Sequence, residues 1–318
     1  MKIEEIKPLA DAIRGEVARV ITGQDDMVDL MLTALFAGGH ILLEGPPGTA
    51  KTMTARAFAT ALGLDFGRIQ FTPDLMPGDI IGSNIYNFQS GEFAMTRGPI
   101  FCDLLLADEI NRTPAKTQAA LLEAMQEHAV TFDGETHKLG RTFMVVATQN
   151  PIEHQGVYPL PEAQLDRFLF KHSVAYPDEE QERAIIATHG GGAMRDDPAR
   201  WEITPQASRK TIEAAMDAAS SVTLVDEIVA YIASLVRATR TSGDLEVGAS
   251  PRAGAMLARG ARARAALDGR DYVLPDDVKA LAVPALRHRV ILSATAQIDG
   301  REVEPIVTAL VEAVEAPR

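Results

Sequence analysis

Residues Glu44–Thr52 read EGPPGTAKT. The stretch follows a short apolar run, HILLE (His40–Glu44), and leads into a helical run, TMTARAFATALGL (Thr52–Leu64). A glycine-rich turn between a strand and a helix can wrap backbone N–H groups around a phosphate, and the helix N-terminus adds its dipole. On that reading Gly45 and Gly48 turn the backbone where a Cβ would obstruct it. Lys51 reaches the β- and γ-phosphates, and Thr52 ligates Mg²⁺ through its hydroxyl. Ala50 stands where the general motif has its last glycine. It lies at the mouth of the helix, so a negative φ is expected there, which alanine adopts without strain. In isolation the stretch also fits an ordinary Gly/Pro turn.

Four later segments extend the pattern. FCDLLLADE (Phe101–Glu109) is an apolar strand ending in two acids. Asp108 suits the Mg²⁺ shell, reached through water, and Glu109 suits a general base that polarises the attacking water. The plain alternative is a strand ending in a solvated acidic turn. TFMVVATQN (Thr142–Asn150) is a second apolar run, and Asn150 at its tip either orients water or serves as a turn residue before Pro151. In LPEAQLDRFLF (Leu160–Phe170), Arg167 is a candidate arginine finger for a neighbouring subunit, or a surface arginine paired with Asp166. In GASPRAGAML (Gly248–Leu257), Ser250 and Pro251 start a helix with Arg252 on its first turn, where a solvated charge is the alternative. Continuous apolar runs suit strands covered on both faces, hence a parallel sheet between helices. Ligands of such sheets bind at the carboxyl edge.

The chain has 318 residues, 46 % hydrophobic and 24 % charged, enough to bury a core without staples. Its single cysteine, Cys102, excludes an internal disulfide and fits a reducing compartment. The N-terminus, MKIEEIKPLADAIRGEV, lacks the apolar segment and cleavage site of a signal peptide. No apolar run reaches the roughly 18 residues of a membrane helix, so a cytoplasmic protein is expected. The formal net charge of −13 opposes a general duplex-binding surface.

Two segments interrupt the strand–helix rhythm: residues 71–93, rich in Pro, Gly and Asn, and residues 129–141, two β-like arms around Asp133–Gly134. Both read as projections from the core. Beyond the linker-like HGGGAMRDDPARWE (His189–Glu202) the chain is helical and Ala-rich. The expected division is an α/β nucleotide-binding core over 1–188 and a linker with a small all-α domain over 189–318.

These elements, in this order, resemble the AAA+ P-loop NTPases, and within them the MoxR family. GPPGTAKT, LLLADEINRTPAKTQAALLEAMQE, VVATQNPIEHQGVYPLPEAQLDRFLF and GASPRAG carry the resemblance, which covers roughly residues 15–295. It implies an αβα sandwich followed by a helical lid, with ATP or ADP and Mg²⁺ as ligands. Lys51 and Thr52 would be the Walker A pair, Asp108 and Glu109 the Walker B pair. Asn150 would be sensor 1, Arg167 the arginine finger and Arg252 sensor 2. Gly45, Pro46, Pro47, Gly48, Thr49, Ala50 and Met53 would complete the phosphate loop. VITGQDD matches the family's N-terminal segment, which puts Val20, Ile21, Gly23 and Gln24 near adenine. Residues 71–93 correspond to the helix-2 insert and 129–141 to the hairpin before sensor 1. Family members often lack the last Walker A glycine, so Ala50 agrees with them. In related clades an extra helix displaces the lid, which leaves Arg252 open to service in its own site or its neighbour's.

The resemblance further implies a homo-oligomeric ring, a hexamer, acting as a chaperone-like activator of a client complex. A partner with a von Willebrand factor A domain is typical. Two other readings stand beside it: a DNA-remodelling motor and a nucleotide-gated scaffold. Acidic charge opposes the first, since residues 71–93 contain no Lys or Arg and 129–140 only Lys138.

Overall fold

The apolar runs of the first half align into one sheet. The computed structural model describes residues 1–87, 92–132, 134–151, 157–189 and 201–317. The tip of the first projection (88–91), Asp133 and the expected linker (190–200) lie outside the described residues. The chain opens with α1 (Ile6–Ala18) and α2 (Asp25–Phe36), then β1 (Ile41–Glu44), α3 (Lys51–Leu62), β2 (Phe66–Gln70) and the short α4 (Pro77–Ile81). The arms β3 (Gly82–Asn87) and β4 (Glu92–Arg97) follow, then β5 (Leu104–Asp108), α5 (Ala115–Glu127) and a second pair of arms, β6 (Ala129–Phe132) and β7 (Glu135–Lys138). Next come β8 (Met144–Gln149), α6 (Glu162–Leu165), β9 (Phe170–Ser173) and α7 (Glu179–His189).

The strand order is β2–β5–β8–β1–β9, and every pair is parallel. Alternate side chains of a strand leave on opposite faces. Leu104 and Leu106 enter a core shared with α1, α2 and α3, while Leu105 and Ala107 enter another with Leu121, Leu122 and Phe143. Both faces are covered, which is why these strands read as unbroken apolar runs. Parallel alignment also gives the sheet two chemically different edges. Glu44, Asp108 and Gln149 end their strands at the carboxyl edge, whereas His40 and Leu169 precede theirs at the opposite edge.

Each expected projection contains an antiparallel pair, β3–β4 and β6–β7. The second arm of the first runs on to Arg97, beyond the expected end at residue 93.

The second half is a helical lid: α8 (Arg209–Ser220), α9 (Asp226–Thr241), α10 (Pro251–Leu267), α11 (Pro275–Leu286), α12 (Ala294–Ile298) and α13 (Val303–Ala313). A short antiparallel pair, β10 (Leu245–Val247) with β11 (Ile291–Leu292), ties it together. Serine N-caps start three of the helices: Ser208, Ser250 and Ser293 accept the N–H of Thr211, Ala253 and Ala296. The lid helices share the core of α1 and α2, and α10 crosses β9 where Gly260 lies against Phe170. Among the described residues no helix is long and apolar enough to cross a membrane.

Candidate nucleotide-binding site

The turn between β1 and α3 is a backbone cradle. Gly48 has φ +80°, as its place in the loop requires, and Thr49 after it is negative. Ala50 departs from the expectation: its φ is 59° and ψ 13°, left-handed rather than helical. Alternating hands at successive residues curl the chain so that neighbouring N–H groups converge, the geometry of an anion-binding nest. A right-handed Ala50 would lengthen the helix by a residue and open that curl. The left-handed alanine costs on the order of 1–2 kcal/mol. Its carbonyl is held by the Thr54 N–H at 2.8 Å and the Thr54 hydroxyl at 3.0 Å. The missing glycine of the general motif therefore has a conformational meaning at this position.

Pro46 and Pro47 have no N–H to offer, so the donors of the loop begin at Gly48. The preceding carbonyls have another use. Lys51 Nζ donates to the Gly45 carbonyl at 2.9 Å, the Pro46 carbonyl at 2.7 Å and the Thr49 hydroxyl at 3.1 Å. Partial burial pulls the Lys51 ammonium below its ordinary range, and the charges of Asp108 and Glu109 oppose that shift.

The paired acids stand across the cleft. The Thr52 hydroxyl donates to Asp108 Oδ2 at 3.4 Å. The Thr148 hydroxyl donates to Asp108 Oδ1 at 2.7 Å, and Arg68 donates to Oδ2 at 2.7 Å. Glu109 is also left-handed, with φ 58°. Its N–H donates to the Thr148 hydroxyl at 2.8 Å, and its Oε2 accepts from Gln70 at 2.8 Å and pairs with Arg112 at 3.1 Å. Thr148 therefore bridges both acids. A non-glycine residue in this conformation is strain concentrated at one carboxylate.

These groups line a cleft of about 290 Å³ at the carboxyl edge, with Gly48, Lys51, Thr52, Asp108, Glu109 and Asn150 on its walls. A second hollow of about 250 Å³ adjoins it through Gly48, Thr49, Ala50 and Met53, and is lined beyond them by Val20, Ile21, Gln24, Pro177 and Ile185. One end of the combined site is polar, with Lys51 facing Asp108 and Glu109, and the other is mainly apolar. Gly23 lies outside both hollows, beside Gln181 in a neighbouring depression.

Comparison with known proteins agrees with this geometry. Residues 40–170 match the ATPase family associated with various cellular activities (AAA), and residues 237–310 match the AAA lid domain. Chaperone MoxR1 of Mycobacterium tuberculosis is 44 % identical, over 99 % of this chain and 84 % of its own. The chain belongs to the MoxR family of AAA+ ATPases. Protein MoxR of Methylorubrum extorquens is 29 % identical over 95 % of this chain and 93 % of its own. A crystal structure of a presumed ATPase from Cytophaga hutchinsonii superposes with a TM-score of 0.90 at 39 % identity, covering 99 % of this chain and 96 % of that one.

The two expected arginines of this MoxR-family ATPase lie elsewhere. Arg167 lies three residues before β9, in the turn at the edge opposite the cleft, and neither Arg167 nor Arg252 lines the cleft. The alternative of an Arg167–Asp166 pair is replaced by another arrangement. Asp166 receives Arg289 Nε at 2.6 Å and lies 4.0 Å from Arg252 Nε. Sequence reasoning missed Arg68, Gln70 and Thr148 around the acids, and Arg289 behind Asp166.

Proposed function

We propose that this protein is a Mg²⁺-dependent ATP hydrolase of the cytoplasm that assembles into a homo-oligomeric ring, a hexamer, and remodels a protein client. The observation that carries the reading is the meeting of Lys51, Thr52, Asp108, Glu109 and Asn150 around one cleft at the carboxyl edge. The nest at Gly48–Ala50 and the start of α3 would hold the β-phosphate, with Lys51 turning from the loop carbonyls toward the β- and γ-phosphates. Val20, Ile21 and Gln24 would take the adenine in the adjoining hollow. A hydroxyl and a carboxylate 3.4 Å apart form an all-oxygen donor set suited to a hard dication. Thr52 would hold Mg²⁺ directly and Asp108 through water, and the ion would neutralise phosphate charge.

Glu109 is the candidate base. Water attacks the γ-phosphorus, its proton passes to the Glu109 carboxylate, and the bond to ADP breaks. Gln70 and Arg112 hold that carboxylate, the Thr148 hydroxyl holds the Glu109 backbone N–H, and Asn150 would orient the water. Arg167 and Arg252 would complete a neighbour's site. Arg167 lies in the turn before the amino end of a four-residue strand, and at about 3.3 Å per residue that strand alone puts roughly 13 Å between its amino end and the carboxyl edge of the same subunit. Arg252, beside Asp166, belongs with it and would act in trans. In this reading residues 1–188 are the core and 189–318 the linker and lid. A partner with a von Willebrand factor A domain presents the client.

Turnover by wild type and two variants tests the scheme. Glu109→Gln is expected to keep nucleotide affinity and lose hydrolysis by a factor of at least about 10², the scale of a positioned base. Arg167→Ala should bind a fluorescent ATP analogue normally and lose turnover by about 10³. Equal turnover in wild type and Glu109→Gln would remove the assigned base. Hydrolysis by a dilute monomer as fast as by the assembly would remove the trans arginine.

A further inference from the structure

The lid carries a groove that the nucleotide chemistry does not use. It lies between α9 and α10, holds about 350 Å³ and is lined almost wholly by apolar carbon. Its shape follows from the sequence. Val229, Ala233 and Arg237 recur every four residues along α9, which puts them in one row. Opposite them α10 offers Pro251, Gly254, Ala255 and Ala258, none of them large, so the trough stays shallow and open. Val229 keeps 47 % of its surface exposed, and Arg237 and Arg240 charge one end.

A matching surface lies on α7. That helix begins with Glu179, Glu180 and Glu182, and its Ile186 is 63 % exposed. Glu182 and Ile186 are four residues apart and share one face. Ile185, the next residue, lines the apolar hollow of the nucleotide site. We infer that α7 of one subunit docks in the α9–α10 groove of its neighbour, with Ile186 in the trough and Glu182 facing Arg237. The inference rests on the ring proposed above. Pro251, at the end of the groove, is followed by Arg252, so a subunit that offers Arg252 to a neighbouring cleft brings the groove alongside that cleft's wall, and α7 is that wall. Charge and shape agree: acid and isoleucine on the helix, arginine and a trough of small residues on the lid. Ile298 is still more exposed, at 86 %, but it sits on α12 and lines neither hollow. Docking here ties nucleotide occupancy in one subunit to the lid of the next.

Cross-linking and assembly test the inference together. In a Cys102→Ser background, Ile186→Cys and Val229→Cys proteins are mixed with a short bismaleimide and a non-hydrolysable ATP analogue. A cross-linked dimer is expected from the mixture and from neither protein alone. Ile186→Asp and Val229→Asp should each raise the concentration at half-assembly at least tenfold by sedimentation. The double variant should do no worse than either single one, because the two residues act at one contact. Fluorescent ATP binding to the dilute monomers should stay within twofold of wild type. Lack of the mixed cross-link overturns the inference. So does loss of assembly in Val229→Asp alone, which would assign the groove to another segment or a partner protein. If the protein assembles and Arg167→Ala loses turnover while Ile186→Asp assembles normally, the docking inference falls and the ring reading stands. If wild type stays monomeric with every nucleotide, both fall.

Discussion

At Ala50 the chain tolerates a left-handed alanine because the curl of the loop depends on it. Glycine enters that region without a steric penalty, at the expense of extra freedom in the unfolded chain. Ala50→Gly is therefore expected to raise stability by up to about 1 kcal/mol and to leave nucleotide affinity within threefold. Gly48 differs, because φ +80° is hostile to a β-branched residue. Gly48→Val should lower affinity for a fluorescent ATP analogue at least about 100-fold, as expected when a nest loses its geometry. Thermal unfolding beside nucleotide titration checks both, and a lower melting temperature in Ala50→Gly would contradict the strain assigned here. The local residues of the site were legible in the sequence because each motif is a contiguous stretch. The sign of φ at Ala50 was not, since position in a motif does not reveal which hand the loop takes. Arg68, Gln70 and Thr148 were illegible for another reason. Gln70 pairs with Asp108 only because β2 lies beside β5, and nothing local to either strand names its neighbour.

Among the elements, the segment leading into β9 shows how the lid is coupled to the core. Arg289 is buried and donates to the carboxylate of Asp166 and to the backbone carbonyls of Asp166, Phe168 and Leu169, and His288 bonds the Phe168 carbonyl as well. These two lid residues hold the turn that carries Arg167. Arg289→Ala leaves a half-buried carboxylate and several carbonyls without their donor, so it is expected to cost roughly 3 kcal/mol. It should also lower turnover, because Arg167 loses its support, whereas Arg167→Ala should lower turnover alone. Arg289→Lys should recover little, since one ammonium cannot reproduce a planar fork of donors. Denaturant unfolding and turnover on the three variants separate these outcomes, and an Arg289→Ala protein as stable as wild type would refute the clamp. Element identity was legible in the sequence where the local signal was strong: the apolar strands β1, β5 and β8, the hairpin around Gly134, and α10 from its Ser–Pro start, whereas residues 71–93 read only as a projection with short β-like pieces. Docking of α10 on α2 and β9 was not, because it depends on a glycine, Gly260, meeting a phenylalanine 90 residues earlier.

Across the whole molecule, buried histidines set the response to acid. His40 precedes β1 and joins three elements: its Nδ1 accepts the Val145 N–H at 3.0 Å, so Nε2 carries the proton and donates to the Met125 carbonyl at 3.1 Å. Its pKa is pushed down to about 4, chiefly by burial, with the Met125 carbonyl opposing the shift and nearby His128 and Arg259 adding to it. A second proton would land on the nitrogen that already faces an N–H. His288 is driven well below its ordinary range, first by burial and then by Arg289. Both folded-state values lie below the unfolded value of 6.5. The unfolded chain therefore binds more protons below pH 6.5, and stability falls as pH drops from there toward 4. Each histidine contributes at most about 1.4 kcal/mol per pH unit, so up to about 2.5 kcal/mol should be lost between pH 6 and pH 5. The net charge of −13 acts in the opposite sense, because acid relieves its self-repulsion. That relief comes later, since carboxylates titrate near pH 4, and the histidines control the upper window. Urea midpoints at pH 7, 6 and 5 should fall steadily while the unfolding slope stays constant. A midpoint that is flat or rising over that range would mean that the protein holds these two histidines in a more polar setting than the contacts at Met125, Val145 and Phe168 allow.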